Sequence, residues 1–131
     1  LATTKHLSKD MPLTLTAAYD ARQAVLATAM GARYIAPYYG RLKEAGNDAD
    51  GIVDAMLKIG AGTTRVLVAS LRSAEQVTAL AARGHDTFTL SPAVFEELLD
   101  VHDSLKATAA FELAAASLRE RATNRAGLLG A

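Results

Sequence analysis

Residues 31–42 read Gly-Ala-Arg-Tyr-Ile-Ala-Pro-Tyr-Tyr-Gly-Arg-Leu, and this stretch decides the fold. It predicts a short buried strand over Tyr34–Tyr38 that ends at a turn, with the phenol of Tyr38 three residues before the guanidinium of Arg41. Strand ends of this kind are where α/β enzymes hold acids and bind anions. No lysine falls on any strand that the sequence predicts. Together, the two observations indicate half of an active site rather than a whole one.

Composition narrows the class of protein. The 131 residues fit one domain with a sizeable core, and 50% apolar with 21% charged residues is globular composition. Fourteen basic and fourteen acidic residues cancel, so we expect neither nucleic acid nor a membrane as a partner. Cysteine is absent from the sequence, which excludes disulfides and thiolate metal sites. No apolar run reaches the roughly 18–20 residues that a membrane span requires.

The three histidines, His6, His85 and His102, do not have the spacing of a metal site. None lies at the carboxyl end of a predicted strand, so a Ser-His-Asp triad is not supported either. We therefore expect no metal site and assign these histidines solvated or structural roles.

Four strands alternate with helices along the predicted chain. The strands cover residues 13–18, 34–38, 64–69 and 87–90, and they begin about 20 to 30 residues apart, the spacing of parallel βαβ units. Capping signals place helices from Asp20 to Ala29 or Met30, from Asp48 or Asp50 to Gly60, from Ser73 to Arg83, from Ser91 to about Asp100, and from Asp103 past Leu118. Residues 42–48 are predicted as a loop.

Two architectures accommodate this order: a small doubly wound sheet, or half of an eight-stranded barrel. No Gly-x-Gly-x-x-Gly or Walker-type loop follows any predicted strand, which weakens the doubly wound alternative. The residues alone favour the half-barrel.

In either architecture the chemistry belongs at the carboxyl ends of the strands. Thr16, Tyr38 and Ser70 fall at the ends of three different strands. Arg41 and Ser70, with the free N–H groups of the helix that begins after Ser73, would form a phosphate site. The alternative is that Arg41 is a solvated loop residue and Ser70 merely ends a strand. Tyr38 is either a general acid or an amphipathic core residue with a solvated hydroxyl.

The motifs resemble the short transaldolase family, the group that includes bacterial fructose-6-phosphate aldolase. The resemblance covers residues 2 to about 117, and the 31–41 stretch is its most specific part. The other matching segments are Pro-Leu-Thr-Leu-Thr-Ala-Ala-Tyr at 12–19, Gln23, Val-Leu-Val-Ala-Ser at 66–70 and Thr-Phe-Thr-Leu at 87–90.

The resemblance implies an α/β fold in which residues 1–131 form a single segment, the C-terminal half of a (β/α)8 TIM barrel with strands five to eight. Residues 1–10 would end helix four, residues 12–118 would run from strand five to the terminal helix, and residues 119–131 would be a tail. It also implies class I chemistry on phosphorylated sugars, in which a lysine forms a Schiff base without metal or cofactor. The enzyme would be a transferase or lyase of carbohydrate metabolism, as in the pentose phosphate reactions.

The resemblance also implies roles for individual residues, assigned by matching the family's motifs to this sequence. Tyr38 corresponds to the family's acid/base tyrosine, and Thr16 to the residue that helps to hold its catalytic water. Arg41 and Ser70 correspond to the sugar-phosphate site, to which we add the neighbouring Arg72.

The chain departs from the family at its Schiff-base lysine, which belongs to strand four, upstream of Leu1. The lysines present lie in predicted helices or loops, where a solvated ammonium group is a poor nucleophile: Lys5, Lys9, Lys43, Lys58 and Lys106. We expect the segment to be inactive alone and the full-length protein to be a homo-oligomer. We expect it in the cytoplasm, or in a plastid if the source is an alga or plant.

Two alternatives remain at this stage. The first is a non-catalytic half-barrel that binds sugar phosphates or serves in assembly. The second is another phosphate-binding barrel whose chemistry does not use lysine.

Overall fold

A computed structural model describes residues 11–129. The predicted helix end over residues 1–10 lies outside this range. The chain divides into two compact units, one ending at Glu97 and the other beginning at Leu98. The described part has three strands and six helices: β1 (Thr14–Ala18), α1 (Arg22–Ala29), β2 (Tyr34–Pro37), α2 (Tyr39–Glu44), α3 (Ala49–Gly60), β3 (Arg65–Val66), α4 (Ala74–Ala82), α5 (Pro92–Leu99) and α6 (His102–Leu129).

The three strands form one parallel sheet in the order β1-β2-β3. Single parallel bridges extend it, one between Tyr38 and Ala69 and one between Val68 and Phe88. The predicted fourth strand is therefore present only as one bridged residue, Phe88. The Val68 N–H donates to the Thr87 carbonyl and the Thr89 N–H donates to the Val68 carbonyl, each at 2.9 Å. A mixed α/β architecture with parallel strands is confirmed, and it is consistent with a fragment of a TIM barrel.

One face of the sheet is packed and the other is open. Leu15, Ile35 and Val66 are in register, so their side chains share a face, and Ile35 and Val66 are buried. Helices α1 and α3 pack against each other, with Ala24 and Ala27 buried on α1 and Val53 and Met56 buried on α3. Burial of each large side chain contributes about 1.5–3 kcal/mol.

The opposite face carries Thr14, Tyr34 and Arg65, which are in register with one another, and Thr16, which is in register with the buried Ala36. Thr14, Thr16 and Arg65 are exposed, and Tyr34 is half-buried. This division places hydroxyls and charges along one face of the sheet and the hydrophobic core along the other. Functional side chains on the strands must therefore be sought on the polar face and at its ends.

The loop prediction for residues 42–48 is wrong in part, because α2 runs from Tyr39 to Glu44. Tyr39 and Leu42 are both buried, and their spacing of three residues suits a helix turn that packs onto the core. The strand predicted over residues 64–69 is shorter than expected. It keeps full pairing at Arg65 and Val66 only, and Ser70 then turns into the left-handed region at φ 64°.

Helix α6 begins at His102 and continues to Leu129, through most of the segment that the sequence predicted as a tail. Alanine, leucine, glutamate and arginine favour helix strongly enough to continue past Gly127. Its large apolar side chains at Leu105, Phe111 and Leu118 are exposed. Within residues 11–129, no helix is both long enough and apolar enough to cross a membrane.

His85 has a structural position. Its side chain is buried, and its Nε2 lies 3.2 Å from Oδ1 of Asp54 on α3. Arg83, at the end of α4, also binds Asp54, through two guanidinium hydrogen bonds. The cluster therefore ties α3 to the loop that follows α4. Across the described range, no three His, Cys, Asp or Glu side chains are grouped as a metal site.

This cluster predicts an acid-dependent part of the stability. The Arg83 guanidinium, with a smaller contribution from His85, holds the pKa of the Asp54 carboxyl below its usual range. A depressed pKa in the folded state stabilises the fold fully above the unfolded value of about 3.9, and this contribution is lost as the pH falls through the lower folded value. In urea unfolding between about pH 4.5 and pH 2, Asp54→Asn should therefore lose stability less steeply than the wild type.

The matched control is Asp103→Asn, an isosteric change at an exposed position on α6. It should keep the wild-type slope over the same pH range. If the Asp54→Asn and wild-type curves run parallel, the cluster does not contribute in the way described.

Candidate active site

Tyr38 lies where β2 passes into α2, and its backbone joins three elements. Its N–H donates to the carbonyl oxygen of Ala18 at 3.2 Å, while its carbonyl accepts from Leu42 at 3.0 Å and closes the first turn of α2. The N–H of Tyr39 donates to Ala69 at 2.9 Å. Both neighbouring strands therefore fix the position from which the Tyr38 side chain projects.

Hydroxyl groups gather around Tyr38. The Thr16 Oγ1 donates to the Tyr38 Oη at 3.4 Å, and the Tyr19 ring meets the Tyr38 ring edge-on, with centroids 5.9 Å apart at 74°. A hydrogen bond of this length is weak, so the phenol has capacity to bind another group. The structure thus brings Thr16 and Tyr38 together at one edge of the sheet.

Arg41 belongs to this cluster as well. Its Cζ lies 4.8 Å from the centroid of the Tyr38 ring, within the range of a cation–π interaction. The pKa of its guanidinium lies above the ordinary value, chiefly because of the nearby Tyr19 hydroxyl. Arg41 is exposed but stacked, and it lies on a helix rather than in the solvated loop that was the alternative.

Ser70 is held against Gly40. The N–H of Gly40 donates to the carbonyl oxygen of Ser70 at 3.0 Å, and an added Cβ at Gly40 would collide with that oxygen. The same added Cβ would lie 3.2 Å from the Ser70 Oγ. A glycine is therefore required where α2 meets the turn after β3, and this contact places the Ser70 hydroxyl beside the start of α2.

Two non-glycine residues at this edge have positive φ angles, Ala17 at 57° and Ser70 at 64°. Ala17 marks an irregularity in β1, where the register shifts between Thr16 and Ala18. Strained backbone of this kind occurs preferentially at functional sites. Both strained residues flank the hydroxyl cluster, which supports its assignment as the candidate site.

Arg72 lies close to the same glycine but is paired with a carboxylate. Its Nε would lie 3.1 Å from a Cβ at Gly40, and it donates to the Glu44 Oε1 at 3.0 Å. Both partners are more than half exposed, so this ion pair is worth little in itself. Arg72 is thus beside the Gly40–Ser70 contact, and its Nε–H is bonded to Glu44.

The amino end of α4 differs from the sequence prediction. Its N–H groups were expected to be free for phosphate, but Ala74 donates to the Glu97 Oε2 at 3.0 Å and Gln76 donates to the Ser73 Oγ at 3.4 Å. The Gln76 side chain accepts from Arg72 N–H at 2.8 Å rather than from Ser73. A carboxylate therefore already occupies this helix end.

Sequence reasoning did not single out Glu44 or Glu97, and it did not place Tyr19 against Tyr38. The Glu44 contact with Arg72 spans 28 residues, and no local pattern reveals it. The Glu97 contact spans 23 residues and carries no local signal.

The cluster combines hydroxyls that donate and accept hydrogen bonds with fixed guanidinium charges. Such a set can bind phosphate oxygens, hold a water and move a proton at a phenol.

Comparisons with known proteins identify the family. The family model for transaldolase/fructose-6-phosphate aldolase matches residues 2–128. A probable transaldolase of Nitrosopumilus maritimus is 34% identical over 96 residues, which cover 70% of this chain and 43% of the relative. Probable transaldolases of Rhodospirillum centenum and Phenylobacterium zucineum are 36% and 32% identical, over 64% and 75% of the chain and 38% and 46% of the relatives.

The chain thus spans less than half the length of these relatives. The family match nevertheless covers nearly all of its residues and agrees with the parallel α/β architecture. The chain belongs to the transaldolase/fructose-6-phosphate aldolase family.

Proposed function

We propose that this chain is the C-terminal half, strands five to eight, of a class I transaldolase or fructose-6-phosphate aldolase that acts on phosphorylated sugars. The observation that carries the proposal is the cluster at the edge of the sheet. The Thr16 hydroxyl lies 3.4 Å from the Tyr38 phenol, and the Arg41 guanidinium lies over the Tyr38 ring. Family membership supplies the reaction class.

In the proposed mechanism Tyr38 acts as the acid/base group. In class I chemistry a lysine amine condenses with the carbonyl of a ketose, and a C–C bond breaks as the neighbouring hydroxyl loses its proton. The phenol of Tyr38 can accept and return that proton through a water that Thr16 helps to hold. Arg41, whose Cζ lies 4.8 Å from the ring centroid, helps to hold the phenol in position.

The sugar phosphate would bind to Arg41 and Ser70, with Arg72 at the margin of the site. A guanidinium binds two phosphate oxygens at once, and a serine hydroxyl donates to a third. Arg72 can contribute if it exchanges Glu44 for the phosphate, since an exposed ion pair costs little to break.

None of the described lysines is placed as the Schiff-base amine. Lys43, Lys58 and Lys106 lie on α2, α3 and α6, away from the strands. The pKa of the Lys43 amine is raised, first by its bond to the Tyr39 hydroxyl and then by Asp50, which keeps it protonated and non-nucleophilic. Lys5 and Lys9 are outside the described residues. The sequence predicts both on a helix, so we propose that the strand-four lysine comes from outside these 131 residues.

This proposal predicts that the chain alone forms no Schiff base. Incubated with fructose 6-phosphate and sodium borohydride, it should show no increase in mass by intact-protein mass spectrometry and no sugar cleavage. A chimera that joins it to the amino-terminal part of the Nitrosopumilus relative should gain one reduced adduct.

A trapped adduct on any lysine of the isolated chain would contradict the proposal. If a folded chimera binds fructose 6-phosphate yet forms no adduct, the alternative is favoured, in which the chain is a non-catalytic module that binds sugar phosphates or serves in assembly.

The phosphate role of Arg41 can be tested on the isolated chain. Arg41→Ala should weaken fructose 6-phosphate binding by about ten-fold or more, because a charge-assisted hydrogen bond is lost. Binding is followed by the NMR shifts of the Gly40 and Ser70 amides, which report on this site alone.

The control is Arg22→Ala, which removes an equal charge from an exposed position near the same strand end. It should leave the affinity unchanged. Equal weakening by both variants would show a general charge effect and would contradict the assignment of Arg41.

A further inference from the structure

A cavity lies at the amino end of the strands, opposite the cluster around Tyr38. Its volume is about 440 Å³, and it is lined by Arg33, Leu57, residues 60–66 and Asp86. None of the residues proposed for the reaction belongs to it. Its size suits a small ligand rather than a single ion, since ligand pockets span about 300–1,000 Å³.

Two arginines of this cavity share one aromatic ring. The Arg33 Cζ lies 5.6 Å from the centroid of the Tyr34 ring, and the Arg65 Cζ lies 6.0 Å from it. The ring holds both guanidinium groups at the start of the sheet, Arg33 just before β2 and Arg65 at the start of β3. Stacking on a ring face leaves the N–H donors at the guanidinium edges available.

The charges of the cavity do not balance. Asp86 pairs with Arg65 at 3.1 Å, whereas Arg33 has no ion-pair partner among residues 11–129. The described lining thus carries two positive charges and one negative charge. A cavity with a net positive charge favours an anion, and the guanidinium N–H groups are suited to bind its oxygens.

The loop that forms the wall is anchored. After α3 ends, the N–H groups of Thr63 and Thr64 donate to the Gly60 carbonyl at 2.9 and 2.8 Å. The buried Thr64 hydroxyl donates to the Ala32 carbonyl at 2.7 Å and fixes the loop to the segment before β2. The cavity is therefore formed before a ligand binds, which reduces the entropic cost of binding.

We propose that this cavity binds a small organic phosphate, with the phosphate held by Arg33 and Arg65 and the uncharged part against Leu57. The Thr63 hydroxyl, which is exposed at the lining, supplies a further donor. The site is separate from the cluster around Tyr38, so it would serve a second ligand or an effector rather than the reacting sugar.

The test uses the full chain labelled with ¹⁵N and two probes, inorganic phosphate and phenyl phosphate. Both should shift the amides of residues 60–66, and phenyl phosphate should bind more tightly because its ring contacts the apolar wall. Arg33→Gln should weaken phenyl phosphate binding at these amides by about ten-fold. Arg119→Gln, an equal change on α6, and Arg41→Ala should leave it unchanged.

The variant Asp86→Asn distinguishes a direct effect on binding from damage to the fold, because it is expected to strengthen phosphate binding. Removal of the competing carboxylate should tighten binding several-fold, whereas a damaged fold would weaken it. The proposal is overturned if Arg33→Gln binds as well as the wild type, if Asp86→Asn binds no more tightly, or if the probes shift only residues around Tyr38.

Discussion

The hydrogen bond from Gly40 N–H to the Ser70 carbonyl, at 3.0 Å, is the contact on which the candidate site depends. It joins the turn after β2 to the turn after β3 at a distance that excludes any side chain on Gly40. With the adjacent bond from Tyr39 to Ala69, it fixes the start of α2. Tyr38 and Arg41 stand at either side of this glycine, so their positions relative to Ser70 follow from a single backbone crossing.

The parallel register of the strands determines which face of the sheet carries each polar side chain. Because in-register residues of neighbouring strands share a face, the buried row at Ile35 and Val66 leaves the rows that contain Thr16 and Arg65 on the other face. One polar face ends in two different clusters. The carboxyl end carries hydroxyls with Arg41, and the amino end carries Arg33 and Arg65 around Tyr34.

The sequence predicted the elements whose signals are local. Asp48 caps α3 through its bond to the Gly51 N–H, and Gly31 ends the first helix with a φ of 69°, as the residue types indicated. The shared location of Thr16 and Tyr38 also followed from their places at strand ends. Helix α2 was missed because Gly40 is a poor helix former, and only the buried contact with Ser70 explains why glycine is there. The hydrogen bond from the Ala74 N–H, at the amino end of α4, to the Glu97 carboxylate joins residues 23 apart in sequence, and no local pattern reveals it.

Amide hydrogen exchange at Gly40 tests the central claim most directly, namely that its contact with Ser70 holds the site together. If the claim is right, the Gly40 amide exchanges only through unfolding of the unit that ends at Glu97, as slowly as the core amide of Leu67, which donates to Ile35. Exchange of Gly40 near the rate of an unprotected peptide, with Leu67 still protected, would show that the crossing opens freely and would contradict the account.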